Sequence, residues 1–142
     1  MEAKLILQPL FVVGLLTVVM TFWMFLTRIA TMSKLKIHPQ KGQDTNKLRD
    51  LLPSKVTRIS NNYNHLFEQP TLFYAVAISI AVLGHVDPLH VGCAWAYATL
   101  RISHSIIQAT IDFVVVRFTI FILSWIVLSV MVIREALIVF GL

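Results

Sequence analysis

Two sets of polar residues sit at helical spacing in a chain that is otherwise strongly apolar. Arg101, His104, Ser105 and Gln108 stand at i, i+3, i+4 and i+7. Arg58, Asn61, His65 and Glu68 follow one another by three, four and three, with Asn64 beside them. Each set occupies one face of a helix. Arg117 stands alone, about one turn into a later apolar run. A charge facing lipid at depth costs ~2.5–3.5 kcal/mol even on the mildest scale, so such faces should turn inward. If they converge, Glu68 neutralises one arginine and positive groups remain in excess. That balance suits an anion such as a carboxylate, a thiolate or a phosphate. A structural reading stands beside it. In that reading Arg58 belongs to a basic loop, Arg101 and Arg117 snorkel to headgroups, and Glu68 pairs with Arg101.

The elements that carry these residues follow from composition. Of 142 residues, 57% are hydrophobic and 13% charged, against about a quarter charged in a soluble domain. Mean hydropathy is +0.77. A chain this short cannot hide so much apolar surface from water. A soluble enzyme, a disordered tail and a disulfide scaffold are excluded, which leaves an integral membrane protein. The single cysteine, Cys93, has no partner in the chain and reads as an inert thiol within an apolar stretch.

Four spans are expected, at about 5–27, 56–83, 88–109 and 113–134, with a basic loop at about 28–55. The first is read as a retained span, because its apolar run is too long for a signal peptide and no small-residue cleavage site follows. The second is read as one long helix that Pro70 kinks by removing a hydrogen bond to Leu66. Asp87 before Pro88 is a helix start, with the carboxylate as cap. The expected fold is all-α, an up-down four-helix bundle forming one membrane domain. Eight of the twelve Lys and Arg lie between Arg28 and Arg58. This bias places the first loop in the cytoplasm and both termini outside. It also accounts for the net charge of +5 without nucleic acid, for which no binding module is visible. The five histidines are too scattered for a zinc site, so no metal is expected.

With the motifs in place, the chain resembles the MAPEG family, the membrane-associated proteins in eicosanoid and glutathione metabolism, and within it the short bacterial members. The likeness covers nearly the whole length. Its most specific part is Arg101-Ile102-Ser103-His104-Ser105, with Arg117 sixteen residues after Arg101. These are similar to the family's third-helix Arg-x-x-His motif and its fourth-helix arginine. Asn61 to Glu68, followed by Pro70 and Leu72-Phe73-Tyr74, is similar to the second-helix signature.

The resemblance implies a homotrimer in a bacterial inner membrane, with glutathione bound between protomers near the cytoplasmic side. It implies that Arg117 stabilises the glutathione thiolate and that Glu68 contacts glutathione. Arg28, Asn61, Asn64, His65, Arg101, His104 and Gln108 are the further candidates for binding. The chain departs from the family pattern at Asn61 and His65, where arginine and asparagine are usual, and at Gln108 and Phe121, where tyrosine is usual. The expected function is a glutathione-dependent transferase or peroxidase acting on lipophilic electrophiles that enter from membrane lipid. The alternative is a non-catalytic protein that binds an anionic lipid or amphiphile between helices. A channel is disfavoured, since no pair of broken helices and no ring of acidic residues is present.

Overall fold

The computed structural model describes residues 1–142 and contains only helices, turns and short connections. Four long helical units follow one another. The first is α1 (Lys4–Lys34). After a 3-10 turn (Pro39–Gln43) and a short α2 (Thr45–Leu51), the second unit comprises α3 (Ser54–His65) and α4 (Gln69–Leu83). Helices α5 (Pro88–Ala109) and α6 (Val114–Phe140) complete the chain. Three stretches are long and apolar enough to cross a membrane: Lys4–Lys34, Ser54–Leu83 taken across its break, and Val114–Phe140. Helix α5 is not among them. Its inward stripe of polar residues lowers its hydropathy although its 22 residues suffice in length.

Helix α1 shows why the bundle forms. Ile6, Pro9, Val13, Met20 and Met24 are buried at helical spacing, whereas Phe11, Leu15, Val18, Val19 and Phe22 on its other face are exposed. One stripe therefore seats against the bundle and the other is left for lipid. Phe73, Ala77 and Ile80 of α4, Ala94, Tyr97 and Ala98 of α5, and Leu128 and Met131 of α6 join Ile6 and Val13 in the largest core cluster. Met20, Met24, Ile59, Leu66 and Ala109 form a second cluster toward the other end.

Two expectations are corrected. The second unit is interrupted, not merely kinked. Phe67 and Glu68 donate back three residues to Asn64 and His65, at 3.0 and 3.4 Å, and the Glu68 backbone leaves the helical region with ψ of −100°. Pro70 has no N–H for the Leu66 carbonyl and its ring opposes that carbonyl, so α4 starts afresh beside it. The Thr71 hydroxyl and backbone N–H both donate to the Glu68 carbonyl, at 2.6 and 3.2 Å, and fix the new helix start.

The basic segment is likewise more ordered than a loop. Helix α1 runs beyond residue 27 to Lys34, taking Arg28 with it. Asp44 caps α2, accepting from Asn46 and Lys47 backbone N–H at 3.1 and 3.3 Å. Leu48, Leu52 and Val56 bury themselves against Met32 and Ile37. Burying each such side chain stabilises by roughly 1.5–3 kcal/mol, enough to anchor a seven-residue helix that would melt alone.

Tight turns close the remaining connections. Gly84 ends α4 in the left-handed region at φ 75°, where His85 N–H reaches the Ile80 carbonyl at 3.0 Å. Asp87 caps α5 as expected, its Oδ1 accepting from His90 N–H at 2.9 Å. Asp112, between α5 and α6, also adopts positive φ, at 53°. Aspartate tolerates that conformation better than most residues.

Candidate functional site

Helix α5 turns its polar stripe inward. Arg101, Ser105 and Gln108 are almost wholly buried and His104 is 5% exposed. None of the four takes a protein hydrogen bond at Arg101 Nε or Nη2, His104 Nδ1, Ser105 Oγ or Gln108 Oε1. Buried polar groups without partners are rare in proteins and mark positions where a ligand or water serves. Arg101 lies within Coulombic reach of Glu68, yet the two form no ion pair. Glu68 meets His65 instead, with Oε2 and Nδ1 3.0 Å apart, and its side chain is 62% exposed at the α3–α4 break.

Arg117 opens α6 and is tied to Asp112 of the preceding turn by an ion pair from Nη1. That pair fixes the guanidinium by one nitrogen and leaves the rest of its donor fork free. Arg117 then lines a cavity of 210 Å³ with His65, His104 and Gln108, while Val114, Phe118 and Phe121 supply an apolar wall. The His65 and His104 rings stand edge to face at 6.3 Å, and His104 lies 6.1 Å from Phe121. A small polar end with a cation, facing an apolar wall, can hold an anionic group whose remaining bulk is greasy.

The other candidates gather elsewhere. Arg28 of α1 and Asn61 and Asn64 of α3 line a separate cleft of 320 Å³. Arg28 Nη2 donates to Ser60 Oγ at 3.2 Å. Arg49 from α2, which sequence reading assigned only to the loop charge, enters this cleft and donates to Asn61 Oδ1 at 2.6 Å. Consecutive residues Asn64 and His65 thus serve different hollows. Of the nine candidates, His65, His104, Gln108 and Arg117 come together. Arg28, Asn61 and Asn64 form a second group, and Arg101 and Glu68 line neither.

A third polar cluster, at the opposite end of the bundle, was missed. Arg134 of α6 bonds Asp87, with Nη1 to Oδ1 at 2.8 Å, and Glu135 meets His85 Nδ1 at 2.8 Å. His90 is buried, its Nδ1 placed 3.0 Å from the His85 carbonyl to donate, and the Met1 amino group donates to Val86 carbonyl at 3.1 Å. The Arg134 guanidinium holds the Asp87 carboxyl down at about 2, below the ordinary value of 3.8, with the His90 N–H bond adding to the effect. Asp87 in the α4–α5 turn and the Arg134-Glu135 pair were the available signal. Apart from Glu2 and Lys4 near the N-terminus, theirs are the only Lys, Arg, Asp or Glu side chains at that end. The cluster fastens the turn to α6.

Comparison with known proteins gives one match: a family model described as MAPEG family covers residues 6–137. No curated protein and no solved structure matches the chain.

Proposed function

The chain belongs to the MAPEG family, and from that premise we propose that it is a glutathione-dependent transferase or peroxidase acting on lipophilic electrophiles dissolved in the bilayer. The observation that carries the reading is Arg117, held by Asp112 and aimed with His65, His104 and Gln108 into a cavity whose other wall is apolar. The residues present fit the group. A peptide with two carboxylates and a thiol needs cations and amide donors, and Arg117, Arg28, Asn61, Asn64 and Gln108 offer them. When bound, glutathione supplies a nucleophilic sulfur.

Arg117 places positive charge where negative charge gathers on that sulfur, which favours the ionised form at neutral pH. His104 and Gln108 orient polar atoms at the same end. Val114, Phe118 and Phe121 exclude water and accept the apolar part of a substrate arriving from lipid. Because the peptide lies between neighbouring protomers, Arg28, Asn61 and Asn64 in the cleft of one protomer face its carboxylates while Arg117 in the cavity of the next meets its sulfur, and Glu68, at the α3–α4 break, is a contact for its ammonium. Arg101 serves from beneath, as a buried positive charge on the same face of α5 as His104.

Two further parts of the reading concern assembly and placement. The chain works as a homotrimer of four-span protomers, the assembly that membership of the family implies. The basic segment of α1's end, α2 and α3 faces the cytoplasm of a bacterial cell, and the termini face outward.

Isothermal titration of glutathione into detergent-purified protein tests the reading, with thiolate ultraviolet absorbance read alongside. Wild type should bind and show thiolate, and Arg117→Ala should lose the thiolate signal and bind more weakly. A second reading, a non-catalytic binder of an anionic amphiphile, is favoured by one feature: no phenol lines the cavity, since Gln108 and Phe121 occupy positions where the family has tyrosine. Chloride release from an activated aryl chloride, as its carbon–sulfur bond forms, separates the two. Thiolate without turnover supports the binder.

A further inference from the structure

The cleft between α1, α2 and α3 has an unusual charge balance. Two guanidiniums, Arg28 and Arg49, line it together with Thr45, Asn46, Ser60, Asn61 and Asn64, and no acidic side chain does. Neither arginine forms an ion pair. Asp44, the nearby loop carboxylate, is spent on capping α2 and on Lys47 at 3.6 Å. Arg28 Nε is buried without any partner, although Nη2 reaches Ser60. Two cations that meet only neutral amides and hydroxyls attract an anion.

We propose that Arg49 is a carboxylate-binding residue, which with Arg28 makes this cleft a two-guanidinium receptor for the carboxylates of a peptide of the glutathione type. The inference rests on the glutathione reading above and extends it to a residue outside the membrane helices. Position is what qualifies Arg49 over the other loop cations. Its neighbour Leu48 is 2% exposed and anchors α2 on Leu52, Val56, Met32 and Ile37. The backbone is therefore fixed, and the 2.6 Å bond to Asn61 Oδ1 holds the side chain over α3. Only one nitrogen is used, so the planar fork remains open to a carboxylate. Lys34, Lys36, Lys41 and Lys47 line no part of the cleft.

The experiment compares wild type, Arg49→Gln and Arg49→Lys in an uncharged detergent, titrated with glutathione and with its diethyl ester. Losing a charge-assisted hydrogen bond should weaken glutathione binding about ten- to hundredfold in Arg49→Gln. Arg49→Lys keeps the charge without the fork and should fall between. The ester, which has no free carboxylate, should bind wild type and Arg49→Gln equally weakly. Arg49 is exposed, so the melting temperature should barely move. If wild type binds glutathione and Arg49→Gln binds it as well, the assignment of Arg49 is wrong while the glutathione reading stands. If wild type binds no glutathione, both are wrong. An ester that still loses affinity in Arg49→Gln would show the residue acting through structure and not on carboxylate.

Discussion

Replacing Asp112 by asparagine should make the Arg117 cavity a better stabiliser of thiolate, because Asp112 is the only negative charge paired with Arg117. The substitution is nearly isosteric, and asparagine tolerates the left-handed backbone that Asp112 adopts at φ 53°. The α5–α6 turn should therefore survive. Both side chains of the pair are close to a third exposed, so the stability lost with it is small, about 0–1 kcal/mol after solvent screening. The effect on a bound sulfur is different in kind. In a medium of effective dielectric ~20–40, a unit charge removed from beside the Arg117 guanidinium changes the energy of the thiolate by on the order of 1 kcal/mol. That corresponds to a fall of about 0.7 pH unit in the midpoint of thiolate formation. The assay is a pH titration of thiolate absorbance with saturating glutathione, in wild type, Asp112→Asn and Arg117→Ala. Asp112→Asn should shift the midpoint down and Arg117→Ala should remove the transition from the neutral range. A midpoint that stays or rises in Asp112→Asn, with the protein still folded, would refute the role given to Arg117.

Four other outcomes are expected. Glu68→Gln should leave the melting temperature of the ligand-free protein nearly unchanged, since Glu68 is largely exposed and meets only His65; a large loss would restore the buried Glu68–Arg101 pair. Asp87 has its carboxyl lowered, so its contribution to stability is complete above pH 3.8 and disappears as pH falls toward about 2. Thermal melts across that window should therefore show an acid loss that Asp87→Asn lacks. A Gln43→Cys variant should label with an impermeant reagent only from the cytoplasmic face, and labelling from outside would overturn the topology. Detergent-corrected light scattering should give a trimer, and a stable monomer would remove that reading.

How much of this was legible in the sequence depends on whether a feature is local. Helix faces are local. The apolar stripe of α1 and the polar stripe of α5 follow from side-chain direction at fixed spacing, and the structure buries Arg101, His104, Ser105 and Gln108 as that spacing requires. The Asp87 cap and the Pro70 disruption are local too. What spacing could not supply was the choice of partner. Glu68 and Arg101 both turn toward the bundle end on paper, yet the break at Leu66–Glu68 swings the carboxylate back to His65. The Thr71 hydroxyl bond to the Glu68 carbonyl, three residues back, is in contrast a local feature of the new helix start.

The basic segment hid more. Read as loop charge, it carried an expected orientation but no contacts, because Pro53 interrupts the periodicity that would have exposed Leu48, Leu52 and Val56 as one apolar face. Once that face is seated, a residue next to it gains a fixed direction. Leu48 turns in, Arg49 turns over α3, and a charge assigned to the positive-inside bias becomes part of a cleft. The same reasoning applies to Asp112. It lies in the short connection between α5 and α6, and a five-residue return from Arg117 across a left-handed turn makes it the counter-ion of the cavity's arginine. In both cases the functional assignment turns on a short polar connection held by apolar packing, and the long spans serve to bring those connections to one end of the bundle.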